Sequence, residues 1–282
     1  SGYSYFDTDG WRDDDQAEQT DKIANVFAQY ELTYKTSIQA EYTYRDSERG
    51  DIQQKYFEDN FLSNFENDFD TKTFRLGARH DFSPSSKALV SFIYENAEEE
   101  EIFDGFPFTP FTSIDLRAEG EATLTELQYL LRSHYFNLAA GAGYAKVYDT
   151  DLELNIETVF PPPFNVIEDK VDGDVQHYNG YIYAYINPLS NLTVTVGLSY
   201  DDVEGDAQEV IPDEEMDQFN PKFGITWNPF SGTTIRGAVF RVLKRQLLTD
   251  QTLEPTQIAG FNQFYDDQNT TDAWNYGVSV DQ

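Results

Sequence analysis

Between a tight turn, Asn187-Pro188-Leu189-Ser190, and an acidic run, Asp201-Asp202-Val203-Glu204-Gly205-Asp206, the chain alternates strictly from Asn191 to Tyr200. Leu192, Val194, Val196, Leu198 and Tyr200 fall on one side of an extended backbone; Thr193, Thr195, Gly197 and Ser199 fall on the other. Side-chain period two defines a strand with one apolar face and one small polar face. About 10 residues is also the length that a tilted strand needs to cross a bilayer. The unit is a short turn, a strand and a long polar loop, and few folds accommodate its repetition.

It repeats along the whole chain. Val26, Ala28, Tyr30 and Leu32 lead to a turn near Tyr34-Lys35-Thr36, after which Ile38, Ala40, Tyr42 and Tyr44 alternate with Gln39, Glu41 and Arg45. Phe74, Leu76, Ala78 and Phe82 oppose Arg75 and Arg79; Leu127 and Tyr129 oppose Glu126 and Gln128. Ile182, Ala184 and Ile186 oppose Tyr181, Tyr183 and Tyr185, and Ile235, Gly237 and Val239 oppose Arg236. Turns of about 2 to 4 residues alternate with loops of about 12 to 30, as in an outer-membrane barrel with periplasmic turns and extracellular loops. The expectation is all-β: a transmembrane antiparallel up-and-down β-barrel with roughly 12 strands visible, one domain over 1–282 and part of a larger barrel. Acidic stretches such as 46–70, 98–101 and 201–206 read as loops.

The charged residues facing away from the apolar side set this barrel apart from a soluble sandwich or propeller. A lumen solvates such groups, whereas a sandwich core does not. The lumen-facing candidates are Gln39, Glu41, Arg45, Arg75, Arg79, Glu126, Gln128, Tyr181, Tyr183, Tyr185 and Arg236. The three tyrosines suit either stacking of a sugar or aromatic solute or packing against a plug or a neighbouring strand.

Charge narrows the partners. With 19 Lys+Arg against 51 Asp+Glu and a formal net charge of -32, the chain lacks the clustered cations of a nucleic-acid binder. Aromatic residues make up 16%, too many for an acidic disordered chain and fitting for interfacial girdles. The expected surroundings are outer-membrane lipid and lipopolysaccharide of a Gram-negative bacterium. The absence of Cys removes thiolate metal sites and Cys nucleophiles. His80, His134 and His177 sit on three separate strands or turns and belong to no recognisable metal spacing, so no catalytic residue is assigned. Asp7-Thr8-Asp9-Gly10 begins like a calcium loop but lacks the later Glu ligand. Asp7, Asp9, Asp201, Asp202 and Asp206 are therefore weak candidates for Ca²⁺, against the plain role of solvated loop charge.

Several stretches resemble a known family. Thr8-Asp9-Gly10-Trp11-Arg12 resembles the Thr-Asp-Gly-aromatic-Arg loop of TonB-dependent outer-membrane receptors, and Asn220-Pro221-Lys222-Phe223-Gly224-Ile225-Thr226-Trp227 resembles a Pro-Lys-x-Gly-x-x-Trp strand there. Thr252-Leu253-Glu254-Pro255-Thr256 resembles the family's Leu-x-Pro-Glu stretch with Glu and Pro in reversed order. The run 244–267, with Gly260-Phe261-Asn262-Gln263-Phe264, is closer still to barrel regions that follow tetratricopeptide repeats in large outer-membrane proteins. The resemblance implies a receptor or channel for a solute, with a TonB-type partner. The alternative it implies is a non-catalytic anchor or export pore coupled to a periplasmic tetratricopeptide-repeat domain. No plug-like segment precedes the strands, and no aromatic residue closes the chain after Val280-Asp281-Gln282, so a longer protein is expected.

Overall fold

The computed structural model describes residues 1–10, 17–52, 64–104, 111–158, 167–205, 216–244, 251–263 and 271–282. Twelve strands form one antiparallel meander in chain order: β1 (Gly2–Thr8), β2 (Gln19–Thr33), β3 (Thr36–Arg49), β4 (Asn64–Ser83), β5 (Ser86–Asp104), β6 (Phe111–Arg132), β7 (Phe136–Thr158), β8 (Ile167–Leu189), β9 (Leu192–Gly205), β10 (Met216–Phe230), β11 (Thr233–Leu243) and β14 (Asp272–Asp281). A separate two-stranded hairpin, β12 (Gln257–Ile258) with β13 (Phe261–Asn262), lies between β11 and β14. This is the up-and-down order expected of a barrel wall, because each strand pairs with its neighbour in sequence.

Alternation and register together make the two faces. Val196 pairs with Ala184 on one side and Phe223 on the other, and all three belong to the apolar face. That face stays uncovered: Tyr30 is 67% exposed, Val278 83% and Phe230 76%. An apolar surface of this extent is a lipid-facing surface. Aromatic rings border it at both ends. Near the short turns stand Tyr34, Phe82, Tyr135, Trp227 and Phe230, all exposed. Towards the long loops, Tyr144 stacks beside Tyr178 with ring centroids 4.8 Å or less apart, as do Tyr200 and Phe219. From Leu192 to Tyr200 the strand rises about 26 Å, which after tilting spans about 20 Å of an apolar band about 25 Å tall.

The ladder does not end at the outer girdle. β7 and β8 are 23 residues each, long enough to stand well clear of the bilayer. The stretches read as acidic loops at 46–49, 64–70, 98–101 and 201–205 are therefore strand, with Asp46 opposite Asp70 and Asp70 opposite Glu98. The physical reason is that alternation persists while its apolar member is replaced by carboxylates once lipid gives way to water. Directly opposed carboxylates weaken a ladder, and partial compensation is visible: Lys22 Nζ lies 3.2 Å from Asp46 and Arg117 Nη2 lies 2.6 Å from Glu100.

On the inner face of this projecting part, Asn67 is fully buried and donates to Glu99 (2.8 Å) and Glu101 (2.9 Å) while accepting from Arg49 Nε (2.8 Å). Burial and the adjacent Glu99 push the Glu101 carboxyl above its ordinary value, partly countered by Arg49 and Asn67.

Two outcomes test this arrangement in the intact protein. Val196→Arg places a cation in the middle of the apolar band and should cost ~2–4 kcal/mol of folding free energy, whereas Asp202→Arg, beyond the girdle, should cost little; urea unfolding in lipid vesicles measures both. For Glu101, a raised folded-state value means that the folded protein binds more protons than the unfolded chain between the ordinary and raised values. Stability therefore falls as pH rises through that window. Glu101→Gln should remove this slope, read as the pH dependence of the unfolding midpoint.

Candidate functional site: a strap on the inner face

The connection from β11 to β14 turns inward, and its described part, residues 251–263, packs on the polar face of the sheet as a strap. Its wall contacts reach five strands. On β6, Glu126 accepts from Thr252 Oγ1 (2.5 Å) and the Leu253 N–H (2.9 Å), and Gln128 donates to the Leu253 carbonyl. On β8, Tyr183 donates to Glu254 Oε1 (2.5 Å) and Asn179 to Oε2 (3.3 Å). On β10, Lys222 Nζ donates to Gln263 Oε1 (2.6 Å), and the Gln263 amide donates to Tyr183 Oη (3.0 Å) and to the Pro255 carbonyl. Against β11 and β14 the contacts are steric: Gly260 sits over Arg236 and Phe261 over Gly277.

Local sequence explains the strap's shape. The hairpin turn Ile258-Ala259-Gly260-Phe261 has positive φ at both central residues, 50° at Ala259 and 89° at Gly260. Two positive values in a two-residue loop define a type I′ turn, which glycine enters freely and alanine only when the surroundings hold it there. The surroundings do hold it. Ile258 is fully buried in a cluster with Ala139, Tyr181, Tyr183, Phe240 and Val242. Wall glycines provide the seats: a Cβ on Gly224 would meet Ala259 Cβ at 2.9 Å, and one on Gly277 would meet the Phe261 ring at 2.5 Å.

The residues expected to face the lumen lie on the strap's side of the sheet, in two groups. Glu126, Gln128, Tyr181 and Tyr183 gather under the strap, where Gln128 also donates to Tyr181 Oη (3.2 Å) and Tyr185 packs against the apolar cluster. The charged residues are held in ion pairs: Arg75 with Glu41 (3.1 Å), Arg45 with Asp21 (3.1 Å), Arg79 with Asp81 (3.3 Å) and Arg236 with Asp281 (2.7 Å). Gln39 fills the space above Gly77. Beside the strap, towards β2–β5, two cavities of about 290 and 210 Å³ share Arg75 and Gln251 in their linings.

Sequence reasoning passed over Asn179, Lys222, Glu254 and Gln263. The alternation of β8 and β10 already put Asn179 and Lys222 on the inner face; the strap that engages them was not legible. Sequence reasoning named His177 without a partner; in the structure His177 Nε2 lies 3.0 Å from Asp201 Oδ1, both buried. Asp201 Oδ2 accepts from Asn220 (2.7 Å) and Ser199 (3.4 Å). Ser199 bonds the carboxylate and not the imidazole, so the geometry of a base-activated nucleophile is not formed.

Of the acidic candidates, Asp7 accepts from Thr20 Oγ1 (3.0 Å), and Asp9 is exposed. Asp201 points inward, while Asp202 belongs to the outer face opposite Asp217. That neighbouring pair is therefore split across the sheet, and Asp206 lies outside the described residues. Among the described residues no group of three or more His, Asp or Glu is arranged to hold a metal ion.

A lipid-facing belt between aromatic girdles, a polar inner face and short turns alternating with long connections define the wall of an outer-membrane β-barrel of a Gram-negative bacterium. The chain belongs to the TonB dependent receptor-like β-barrel family, whose model matches residues 4–281. No curated protein gives a match. Among solved structures, BauA, the ferric preacinetobactin receptor from Acinetobacter baumannii, is similar over 99% of this chain and 46% of its own, with 10% identity and a TM-score of 0.70. FpvA from P. aeruginosa, in a complex with a heterologous pyoverdine and iron, is similar over 98% of this chain and 41% of its own, with 11% identity and a TM-score of 0.70. The ferric citrate transporter FecA covers 85% and 38%, with 11% identity and a TM-score of 0.64. At such identities the likeness is one of fold, and the chain spans less than half the length of these receptors.

The seating of the strap yields a reciprocal test. Gly277→Ala drives a methyl into the Phe261 ring and should cost about 1–3 kcal/mol as an overpacked contact. Adding Phe261→Ala should recover part of that loss, although Phe261→Ala alone is destabilising; unfolding midpoints of the single and double variants report the coupling.

Proposed function

We propose that this chain forms part of the barrel of an outer-membrane receptor that takes up a solute with energy delivered by a TonB-type partner. The observation that supports the reading most is the extent of the family match, from residue 4 to 281, on a wall whose inner face carries charged and polar side chains beside the apolar cluster under the strap. The neighbours are described as receptors and transporters of iron complexes or copper, which fits a transport role rather than catalysis. Selectivity then resides in the inner-face side chains and in the segments above the outer girdle.

The test compares cells that produce the intact protein with cells that lack it, by following depletion of solutes from the medium with and without a protonophore. Saturable uptake that needs both the protein and the proton gradient is the expected result. Gradient-independent passage would replace it with passive diffusion. No uptake, together with co-purification of a periplasmic repeat protein, would favour an anchor or export pore.

A further inference from the structure

The wall and the strap are held by different means. Each wall strand is paired with its neighbour through a backbone ladder, whereas β12 and β13 form a sheet of their own. Among the described residues no backbone-to-backbone hydrogen bond runs from the strap to the wall. Side-chain hydrogen bonds and the buried Ile258 do the holding. Within itself the strap closes into a ring: the Gln263 N–H donates to the Thr256 carbonyl (3.0 Å) and the Gln263 amide to the Pro255 carbonyl. We propose that the strap is a detachable gate. It leaves the inner face as one body while the ladder of the wall stays paired, and two carboxylates set how often it does so. Undocking of this kind needs no solute and does not depend on the receptor reading above.

The carboxylates form a reciprocal clamp. Glu126 of the wall accepts from the strap's Thr252 Oγ1 (2.5 Å) and Leu253 N–H (2.9 Å). Glu254 of the strap accepts from the wall's Tyr183 Oη (2.5 Å) and Asn179 Nδ2 (3.3 Å). Both acids are buried, 3% and 4% exposed. Hydrogen bonds to a charged acceptor are strong, but a buried carboxylate has given up its hydration. Undocking breaks these bonds and returns both charges to water, so the clamp contributes less than its bonds alone would. The ladder has no such release, because backbone groups freed within the bilayer find no water. Strap and wall therefore differ in their local stability. Ile258 packs among Ala139, Tyr181, Tyr183, Phe240 and Val242, so undocking uncovers an apolar and aromatic face inside the barrel. Burying that face again is favourable, and this is the force that closes the gate.

Hydrogen exchange of the intact protein in outer-membrane vesicles, read by mass spectrometry, tests the proposal without any variant. An isolated two-stranded hairpin is marginal in water, so undocking exposes the strap's own amides together. Leu253, Glu254 and Gln263, whose N–H groups are all hydrogen-bonded in the docked strap, should exchange as a group. They should do so at least ~10 times faster than the amides of β9 around Val196. Strap amides that exchange as slowly as those of β9 would overturn the gate.

Two variants then examine the clamp, with heat-modifiable migration on a gel confirming that each is folded. Glu126→Ala removes the acceptor of Thr252 and Leu253 and should speed exchange of the whole strap about tenfold to a hundredfold, at Gln263 as much as at Leu253, with β9 unchanged. Glu126→Gln should restore most of the protection, since its amide oxygen still accepts from Leu253 and its NH₂ donates to Thr252 Oγ1. Acceleration confined to Leu253 and Glu254 would mean local fraying and would overturn the single body. Ala139→Cys gives a chemical readout of the same motion, because these 282 residues contain no cysteine and Ala139 lies beneath the strap. A hydrophilic maleimide should reach it slowly, and faster by the same factor once Glu126→Ala is added. Labelling indifferent to that addition would also overturn the proposal.

Discussion

Within a bilayer no water is available to hydrogen-bond an exposed backbone N–H or C=O, and the whole architecture follows from that constraint. An antiparallel meander meets it by pairing each strand with its sequence neighbour, as β8 with β9 and β9 with β10. Once every residue is committed to the ladder, its side chain has one of two destinations. The same pairing that satisfies the backbone places Leu192, Val194, Val196 and Leu198 in lipid and Thr193, Thr195, Gly197 and Ser199 inside. Register errors are excluded by the same logic, because a slip of one residue would send Lys222 into lipid.

The inner face carries the opposite burden. Charges withdrawn from water need partners, and here the partners come from adjacent strands and from the strap. Lys222 meets Gln263, Glu254 meets Tyr183 and Asn179, and His177 lies beside Asp201. The strap's own contacts join elements far apart in sequence, so it acts as a cross-tie between β6, β8 and β10 as well as a filler. Phe261 on Gly277 and Ala259 on Gly224 show the same adaptation in steric form.

How much of this was legible in the sequence depended on how local the governing force was. Strand identity and face were legible because alternation is a property of neighbouring residues: Glu41, Arg75, Glu126 and Tyr183 were read from it and lie on the strap's side. Strand length was misjudged where it mattered most, at 46–49, 64–70 and 98–101. Carboxylates there mark the exit from lipid, not the end of pairing, and only the cross-strand register distinguishes the two. The strap was less legible still. Thr252-Leu253-Glu254-Pro255-Thr256 is conspicuous in composition, yet nothing local says that Leu253 will meet Glu126 and Gln128, more than a hundred residues earlier. His177 and Asp201 likewise stand 24 positions apart and become neighbours only through the pairing of β8 with β9.

The distribution of charge joins these levels. A formal net charge of -32 is large for a wall that must sit in a membrane, but the excess carboxylates on the outer face begin beyond the outer aromatic girdle, at Asp46, Asp70, Glu98 and Asp202, where water and counterions screen them. On the inner face Arg45, Arg75, Arg79 and Arg236 are held near carboxylates at close range. The outer face thus keeps its carboxylates beyond the bilayer, while on the inner face charge is met by ion pairs at Arg75 and Arg236 and by neutral hydrogen-bond partners at Glu126, Glu254 and Lys222. The strap that enters this interior is anchored by hydrogen bonds and shape, with its own donors on the Glu126 carboxylate and its Gln263 amide oxygen on Lys222.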